Sequence, residues 1–83
     1  MNITLKYFAS IREAIGQGSE SLNTQAATVN ALREVLIARG GVYSEVLASG
    51  RAVRTALNQD VCDGDTPLSE GCEIAFFPPV TGG

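Results

Sequence analysis

The chain has 83 residues, of which 45% are hydrophobic and 18% are charged. This length and composition suffice for one small soluble domain with a single core and exclude a second domain. Nine acidic residues against six basic ones give a formal charge of -3, which argues against a nucleic-acid partner and favours a basic protein partner. No apolar run approaches the roughly 20 residues that cross a bilayer, and the amino terminus lacks a secretory pattern, so we expect no membrane association and a cytoplasmic location.

The amino-terminal part of the chain predicts a strand followed by a short helix. Apolar and polar residues alternate over residues 2–8. The apolar face of this strand consists of Ile3, Leu5 and Tyr7. Phe8 falls on the opposite face. Residues 10–13 have the spacing of a capping box, and Gly16 can end the helix in a left-handed conformation.

The middle of the chain predicts a weak second strand over residues 20–25 and then the main helix. Thr28 is the expected N-cap, and Gly40-Gly41 is the expected stop. The face expected to be buried carries Val29, Leu32, Val35 and Leu36 at helical spacing. The residues expected to point towards water are Asn30, Arg33 and Glu34. A further turn of helix is predicted over residues 43–47.

Three short strands are predicted in the last third of the chain. The first covers residues 52–57, and Asn58-Gln59 then makes a tight reversal. Val61 lies on a short returning strand, and the final strand covers residues 73–77. The order of these elements predicts an α+β fold.

One main helix can cover only one face of such a small mixed sheet, so the other face is expected to stay open. In the final strand, Phe77 lies opposite to the face of Ile74 and Phe76. If the first and last strands are parallel neighbours, Phe8 and Phe77 form one exposed apolar patch, which is typical of a protein interface. The alternative is that a loop of the same chain covers one of the two rings.

The residue types that most enzymes use are missing. The chain has no histidine, no phosphate-binding glycine motif and no nucleophile paired with a base, so we expect no independent active site. Asp60, Asp63 and Asp65 do not have the spacing of an EF-hand calcium loop. Cys62 and Cys72 match no metal-ligand spacing and are expected to be reduced thiols. No metal site is predicted.

The end of the chain differs in composition from everything before it. Pro78-Pro79 cannot continue a strand and favours a stiff, extended segment. Gly82 and Gly83 bring no side chain, so they could enter a channel only as wide as a backbone and present the terminal carboxylate of Gly83 for reaction. The alternative is a frayed, inert end. We therefore divide the chain into a domain over residues 1–77 and an extended tail over residues 78–83.

These features resemble the small subunits of molybdopterin synthase, which are sulfur carriers with the ubiquitin-like β-grasp fold. The resemblance covers essentially the whole chain and is strongest in the segment Phe76-Phe77-Pro78-Pro79-Val80-Thr81-Gly82-Gly83. Shorter matches are Phe8-Ala9, Arg12-Glu13, Thr28-Val29, Leu32-Arg33, Val53 through Asn58-Gln59, and Pro67-Leu68. The resemblance implies a β-grasp domain with a flexible carboxyl-terminal tail.

The resemblance also implies a reaction cycle. An adenylating enzyme similar to those of the ubiquitin system would use ATP and Mg to activate the carboxylate of Gly83, and a sulfur donor protein would convert it to a thiocarboxylate. The tail would then enter the large catalytic subunit of the synthase and donate sulfur to a pyranopterin precursor, which forms the molybdopterin dithiolene. This chain would bind no cofactor itself. The implied assembly is a heterotetramer.

The partner-binding positions that the resemblance implies are Phe8, Arg12, Val61, Phe77, Pro78, Pro79, Val80, Thr81 and Gly82. Val61 stands where the family usually has a larger aliphatic residue, and Cys72 stands at a turn that is more often polar. Arg12 could instead be a solvated helix residue that pairs within its own chain. Two alternative functions stay open: a sulfur carrier or ubiquitin-related modifier of another pathway, such as thiamine synthesis, and a β-grasp interaction domain with an inert terminus.

Overall fold

The computed structural model describes residues 1–79 of the chain. Within that range the elements follow the order β1 (Asn2–Tyr7), α1 (Ala9–Ile15), β2 (Ser19–Asn23), α2 (Val29–Ile37), α3 (Gly41–Val46), β3 (Arg54–Leu57), β4 (Asp60–Cys62) and β5 (Glu73–Phe77). The predicted α+β order is confirmed.

The strands form one mixed sheet in the order β2-β1-β5-β3-β4. The first and last strands, β1 and β5, are parallel neighbours with Tyr7 opposite Phe76. The other neighbouring pairs are antiparallel. This topology confirms the mixed sheet and meets the condition under which Phe8 and Phe77 would share one face.

The core lies on the helical side of the sheet. Alternation in the strands places Leu5, Tyr7, Ile74 and Phe76 on that side, and all four are almost fully buried. Helix α2 adds Val29, Leu32 and Leu36, while α1 and α3 contribute through Ile11 and through Leu47, the residue that follows α3. The alternation predicted for the first and last strands is therefore confirmed, and three helices share the cover over the core.

Helix α2 begins where the sequence predicts and ends earlier. The hydroxyl of Thr28 accepts a hydrogen bond from the backbone N–H of Ala31 at 3.2 Å, which confirms the N-cap. The helix ends at Ile37, before the glycine pair. Gly40 has a φ of 76° and Gly41 a φ of 56°, so the pair turns the chain into α3.

Two predictions about the faces of α2 are wrong. Val35 is 41% exposed, although its spacing places it beside the buried leucines. Arg33 is half-buried: its guanidinium donates hydrogen bonds to the carbonyl oxygens of Leu47 (2.7 Å), Ala48 (2.6 Å) and Arg51 (3.1 Å). The physical reason is that the segment after α3 lies beside α2, and its carbonyl groups belong to no helix or strand, so the arginine supplies hydrogen-bond donors to them. Burial accordingly lowers the pKa of Arg33.

The capping box predicted for α1 is also wrong. The helix begins at Ala9, one residue before Ser10, and its N-cap residue Phe8 makes no side-chain capping bond. The other end agrees with the prediction: Gly16 is left-handed with a φ of 89°, and its N–H donates to the carbonyl of Arg12 at 2.9 Å.

The reversal between β3 and β4 is confirmed. Asn58 and Gln59 have φ values of 49° and 74°, which match the left-handed residues of a tight hairpin turn. Asn58 also exchanges hydrogen bonds with Glu73 at the start of β5: its N–H donates to the Glu73 carbonyl at 2.8 Å, and its side-chain oxygen accepts the Glu73 N–H at 2.9 Å. The predicted bounds of β2 and β3 shift by one or two residues at their ends, whereas β5 has the predicted bounds.

Candidate functional site

Phe8 and Phe77 follow the core residues Tyr7 and Phe76 at the ends of the two parallel strands. The N–H of Phe8 donates to the carbonyl of Phe76 at 3.2 Å, so the pairing of β1 with β5 continues one residue beyond β1. Because Tyr7 and Phe76 face the core, the next residue of each strand projects from the open face. Phe8 is 48% exposed and Phe77 is half-buried. The fold therefore gives these two predicted residues neighbouring positions on the open face.

The chain turns sharply directly after Phe8. Ala9 has a φ of 53°, a left-handed conformation that costs a non-glycine residue of order 1–3 kcal/mol. Helix α1 starts there, and the N–H of Arg12 donates to the carbonyl of Phe8 at 3.3 Å. This turn ends β1 and places the first turn of α1 beside the exposed phenylalanine.

Arg12 is exposed, and its side chain lies over Gly18. A methyl group placed on Gly18 would be only 3.0 Å from the Nε of Arg12, so the absence of a side chain makes room for the arginine. Among residues 1–79, the Arg12 side chain has neither an ion pair nor a hydrogen bond. The described part of the chain therefore gives no support to the alternative in which Arg12 pairs internally.

Val61 lies on the edge strand β4 and is 69% exposed. The strand register places Val61 opposite Ala56 of β3. Continuing across the sheet, Ala56 pairs with Ala75 of β5, and Ala75 pairs with Lys6 of β1. Both alanines are buried although they lie on the open face, because short side chains lie low between longer neighbours. The result is a flat strip of small residues that connects Val61 to the middle of the sheet.

The chain leaves the sheet through Pro78 and Pro79, which are half-buried. Pro78 lines a groove of about 410 Å³ between α1, α3 and the segment that precedes β3. The other lining residues are Ser10, Ile11, Ala14, Val46, Arg51, Ala52 and Val53. The predictions for Val80, Thr81, Gly82 and Gly83 lie outside the described residues.

A hydrogen-bonded aromatic cluster packs against the end of β1 on the core side of the sheet. The Tyr7 ring packs against Phe76 and Tyr43, with centroid distances of 6.2 Å and 6.4 Å. Its hydroxyl donates to the Glu20 carboxylate at 2.9 Å. Burial, together with this hydrogen bond and the Glu20 charge, raises the pKa of Tyr7 far above its ordinary value of 10.0. Tyr7 therefore stays neutral and keeps donating, which fixes the strand that carries Phe8.

The described residues do not converge on a metal site. Within residues 1–79 no three histidine, cysteine or acidic side chains come together. Asp63 instead organises its own loop, since its Oδ1 accepts the N–H of Asp65 at 3.0 Å. Cys62 is half-buried and Cys72 is buried, and both are free thiols. Over the same range of the chain, none of the helices combines the length and apolarity that crossing a bilayer requires.

The mixed sheet, the helices on one face and the chain end that leaves beside β1 define a ubiquitin-like β-grasp domain. Solved structures support this class. SAMP1 from Haloferax volcanii superposes with a TM-score of 0.80 at 24% identity, and the match covers 100% of both chains. In a protein-protein complex of subunits 1 and 2 of the molybdopterin-converting factor from Helicobacter pylori, one chain matches with a TM-score of 0.70 at 26% identity, again over 100% of both chains.

The chain belongs to the ThiS family, whose model matches residues 5–83. It is 38% identical over 81 residues to the molybdopterin synthase sulfur carrier subunit of Escherichia coli K12, and the alignment covers 98% of this chain and 99% of that relative. These comparisons confirm the resemblance that the sequence motifs indicated. The roles of the individual site residues stay predictions.

Proposed function

We propose that this chain is the sulfur carrier of a molybdopterin synthase, with the carboxylate of Gly83 as its reactive group. The observation that carries the proposal is the full-length similarity to the Escherichia coli sulfur carrier subunit at 38% identity. The geometry of the domain supports it. The chain exit at Pro78 lies next to an exposed apolar face, where a partner could hold the domain while the tail reaches a reaction centre.

The proposed cycle starts with activation. A carboxylate is a poor electrophile, so an oxygen of Gly83 attacks the α-phosphorus of ATP, and pyrophosphate leaves. A persulfide of the sulfur donor protein then attacks the carbonyl carbon and displaces AMP. A thiol cleaves the resulting acyl disulfide, which leaves a thiocarboxylate on Gly83 and oxidises the thiols to a disulfide. ATP and Mg belong to the adenylating partner in this proposal, and the chain itself holds no cofactor.

Sulfur transfer follows in the large catalytic subunit. We infer that the tail enters that subunit and that its thiocarboxylate sulfur attacks a carbon of the pyranopterin precursor. An oxygen substituent leaves that carbon, and a thioester then joins the tail to the precursor. Water then cleaves the acyl carbon–sulfur bond, which returns the carboxylate of Gly83 and leaves the sulfur on the precursor as a thiolate. Two such transfers build the dithiolene. Gly82 and Gly83 suit a narrow channel because they carry no side chain. Phe8, Arg12, Val61 and Phe77 would hold the domain at the mouth of that channel, in a heterotetramer.

The partner and the compartment are part of the same proposal. The Helicobacter pylori structure is a complex of subunits 1 and 2, which supports the large subunit as partner. The adenylating enzyme and the sulfur donor follow from the chemistry of the cycle. We place the protein in the cytoplasm, because ATP is available there and a reducing compartment preserves the thiols of Cys62 and Cys72.

The experiment is intact-protein mass spectrometry after incubation with the adenylating enzyme, ATP, Mg and a persulfide donor. We expect a mass gain equal to the difference between one sulfur and one oxygen, located on Gly83. A chain that lacks Gly83 is the control and should show no gain. If the enzyme charges a known carrier in parallel but leaves this chain unchanged, the proposal is wrong.

A second assay separates this function from its alternatives. The charged chain is mixed with the large subunit and the pyranopterin precursor, and molybdopterin formation is measured. A carrier of another pathway, such as thiamine synthesis, would accept sulfur but would not support this reaction. An interaction domain with an inert terminus would do neither. The names of the full-length relatives favour molybdopterin synthesis over both alternatives.

A further inference from the structure

The six cationic side chains of this acidic chain are unevenly distributed. Arg33 is engaged with carbonyl groups at the end of α3, and Arg39 forms an ion pair with Glu20. Three of the others, Lys6, Arg12 and Arg54, lie around the open face at the end where the chain leaves the sheet. The formal charge of -3 therefore does not describe this surface.

Of these three residues the sequence analysis selected Arg12 but neither Lys6 nor Arg54. Arg54 has the more informative position. It is the first residue of β3, is exposed, and stands opposite Phe77 in the antiparallel register with β5. Directly opposite residues on neighbouring strands project from the same face. Arg54 thus borders the side of Phe77 that faces away from Phe8. Within residues 1–79 it forms no ion pair and donates no side-chain hydrogen bond.

Lys6 and Arg12 border the other side of the aromatic pair. Both line a depression of about 560 Å³ together with Phe8 and with one acidic residue, Glu73. The exposed aromatic patch is therefore flanked by positive charge on both sides. We name Lys6, Arg12 and Arg54 the cationic margin.

The same surface also carries negative charge, although less of it. Among the described strand residues, Glu73 is the carboxylate that the register places on the open face, and it stands at the start of β5, opposite Thr4. Glu20 points to the helical side, where it binds Tyr7 and Arg39. Three cations stand against two carboxylates here, Glu73 and Glu13, the second of which lines a depression that Arg12 also lines. This surface is therefore net positive, the opposite sign from the whole chain. The basic partner that net charge favours does not fit this face.

We propose that the cationic margin docks against an acidic surface of the large synthase subunit, and that Arg54 contacts this surface beside Phe77. The proposal rests on the proposed function and adds the chemistry of the partner: an apolar contact bordered by carboxylates. Complementary charges at the edge of an interface mainly accelerate association and set the orientation of docking. That orientation would aim the chain exit at Pro78 towards the partner.

The test measures association of the full chain with the large subunit at about 50 mM and about 300 mM salt, where screening differs strongly. The variants are Arg54→Ala and Arg54→Glu. The matched control is Gln25→Glu, which lowers the net charge by the same amount as Arg54→Ala. Gln25 is exposed, and it follows Thr24, whose N–H donates to the Met1 carbonyl. Gln25 therefore lies near the amino-terminal end of β1, away from the end that carries Phe8.

We expect Arg54→Ala to weaken binding about 3- to 10-fold at low salt, mostly through a slower association rate, and Arg54→Glu to weaken it further. Both differences should shrink at high salt, and Gln25→Glu should bind like the wild type. Thermal unfolding checks that each variant is folded. Equal binding by Arg54→Ala and Gln25→Glu, or tighter binding by Arg54→Glu, overturns this inference alone. A wild-type chain that does not bind the large subunit overturns the proposed function as well.

Discussion

At the scale of single residues, the described range 1–79 contains two exposed valines in different settings. Val61 is 69% exposed on the open face, and Val35 is 41% exposed on α2. Neither side chain supports the core, so truncating either one should change the free energy of unfolding by less than about 0.5 kcal/mol. Comparing variants of Val61 and Val35 can therefore separate a role in docking from a role in folding.

We expect Val61→Ala to weaken binding to the large subunit by about 1 kcal/mol, since apolar side chains in a desolvated contact carry binding energy. Val35→Ala makes the same chemical change on another surface and should bind like the wild type. Titration calorimetry with the large subunit measures both affinities. Equal affinities for the two variants would show that the docking surface does not include β4.

The same residues show what sequence can predict about exposure. The outward position of Phe8 follows from strand alternation, because a strand has only two faces and Tyr7 shares the face of Ile3 and Leu5. The exposure of Val35 could not be predicted from spacing, because the residue falls at the edge of the apolar face of α2. Whether such an edge position is covered depends on where α3 packs. Arg54 was missed because its importance depends on the register between β3 and β5, which joins distant parts of the chain.

At the scale of elements, Glu20 joins β2 to three other parts of the fold. Its Oε2 accepts hydrogen bonds from the hydroxyls of Tyr7 and Tyr43, both at 2.9 Å, and its Oε1 accepts one from Arg39 at 2.9 Å. The Arg39 guanidinium also lies 4.8 Å from the centre of the Tyr43 ring. The carboxylate thus connects β1, β2, α3 and the segment after α2.

The charge of Glu20 should make stability depend on pH. Burial alone would raise the pKa of this carboxyl, but the hydrogen bonds from Arg39, Tyr7 and Tyr43 outweigh it, so the pKa lies below the ordinary 4.5. A carboxyl with a lowered folded-state pKa stabilises the fold fully above its unfolded pKa. That contribution is lost as pH falls below about 4.5 and through the folded-state pKa.

We expect Glu20→Gln to lower the free energy of unfolding at neutral pH by about 1–3 kcal/mol, because it removes the ion pair and weakens the hydrogen bonds. Its stability should also fall less than that of the wild type between about pH 6 and about pH 3. Urea unfolding across this range measures both effects. Glu45→Gln is the control, since Glu45 is an exposed residue of α3, and the stability of this variant should change with pH in parallel with that of the wild type. Parallel pH profiles for Glu20→Gln and the wild type would contradict the assignment.

Sequence patterns predicted most elements but not this connection between them. The bounds of β5 and the turn at Asn58-Gln59 follow from local alternation and turn chemistry. The Glu20 cluster depends on contacts between residues far apart in the chain, and a glutamate in a weak strand gives no local signal of a buried partner. The capping box failed for a related reason, since pairing of Phe8 with Phe76 sets where α1 begins.

At the scale of the whole molecule, the core and the proposed reactive group lie in separate parts of the chain. The buried residues of the core cluster extend from Ile3 to Phe76, and β5 ends at Phe77. Sequence composition predicts that a tail begins at residue 78, because two prolines cannot continue a strand. It could not predict which charges surround the exit, since those come from β1, α1 and β3 and meet only in the folded sheet.

A chain that ends at Pro79 should therefore fold like the full chain. We expect its thermal midpoint to stay within roughly 2 °C of the full-length value, because every residue of the core cluster is retained. Its sulfur acceptance should be lost completely, since the carboxylate of Gly83 is gone.

Leu36→Ala in the full chain is the opposite control. Leu36 is fully buried, so the variant should lose about 2–5 kcal/mol of stability while its folded fraction still accepts sulfur. Calorimetry and the mass assay are run on both chains. A large drop in the midpoint of the shortened chain would mean that residues 80–83 contribute to the stability of the domain, and the division between domain and tail at residue 77 would be wrong.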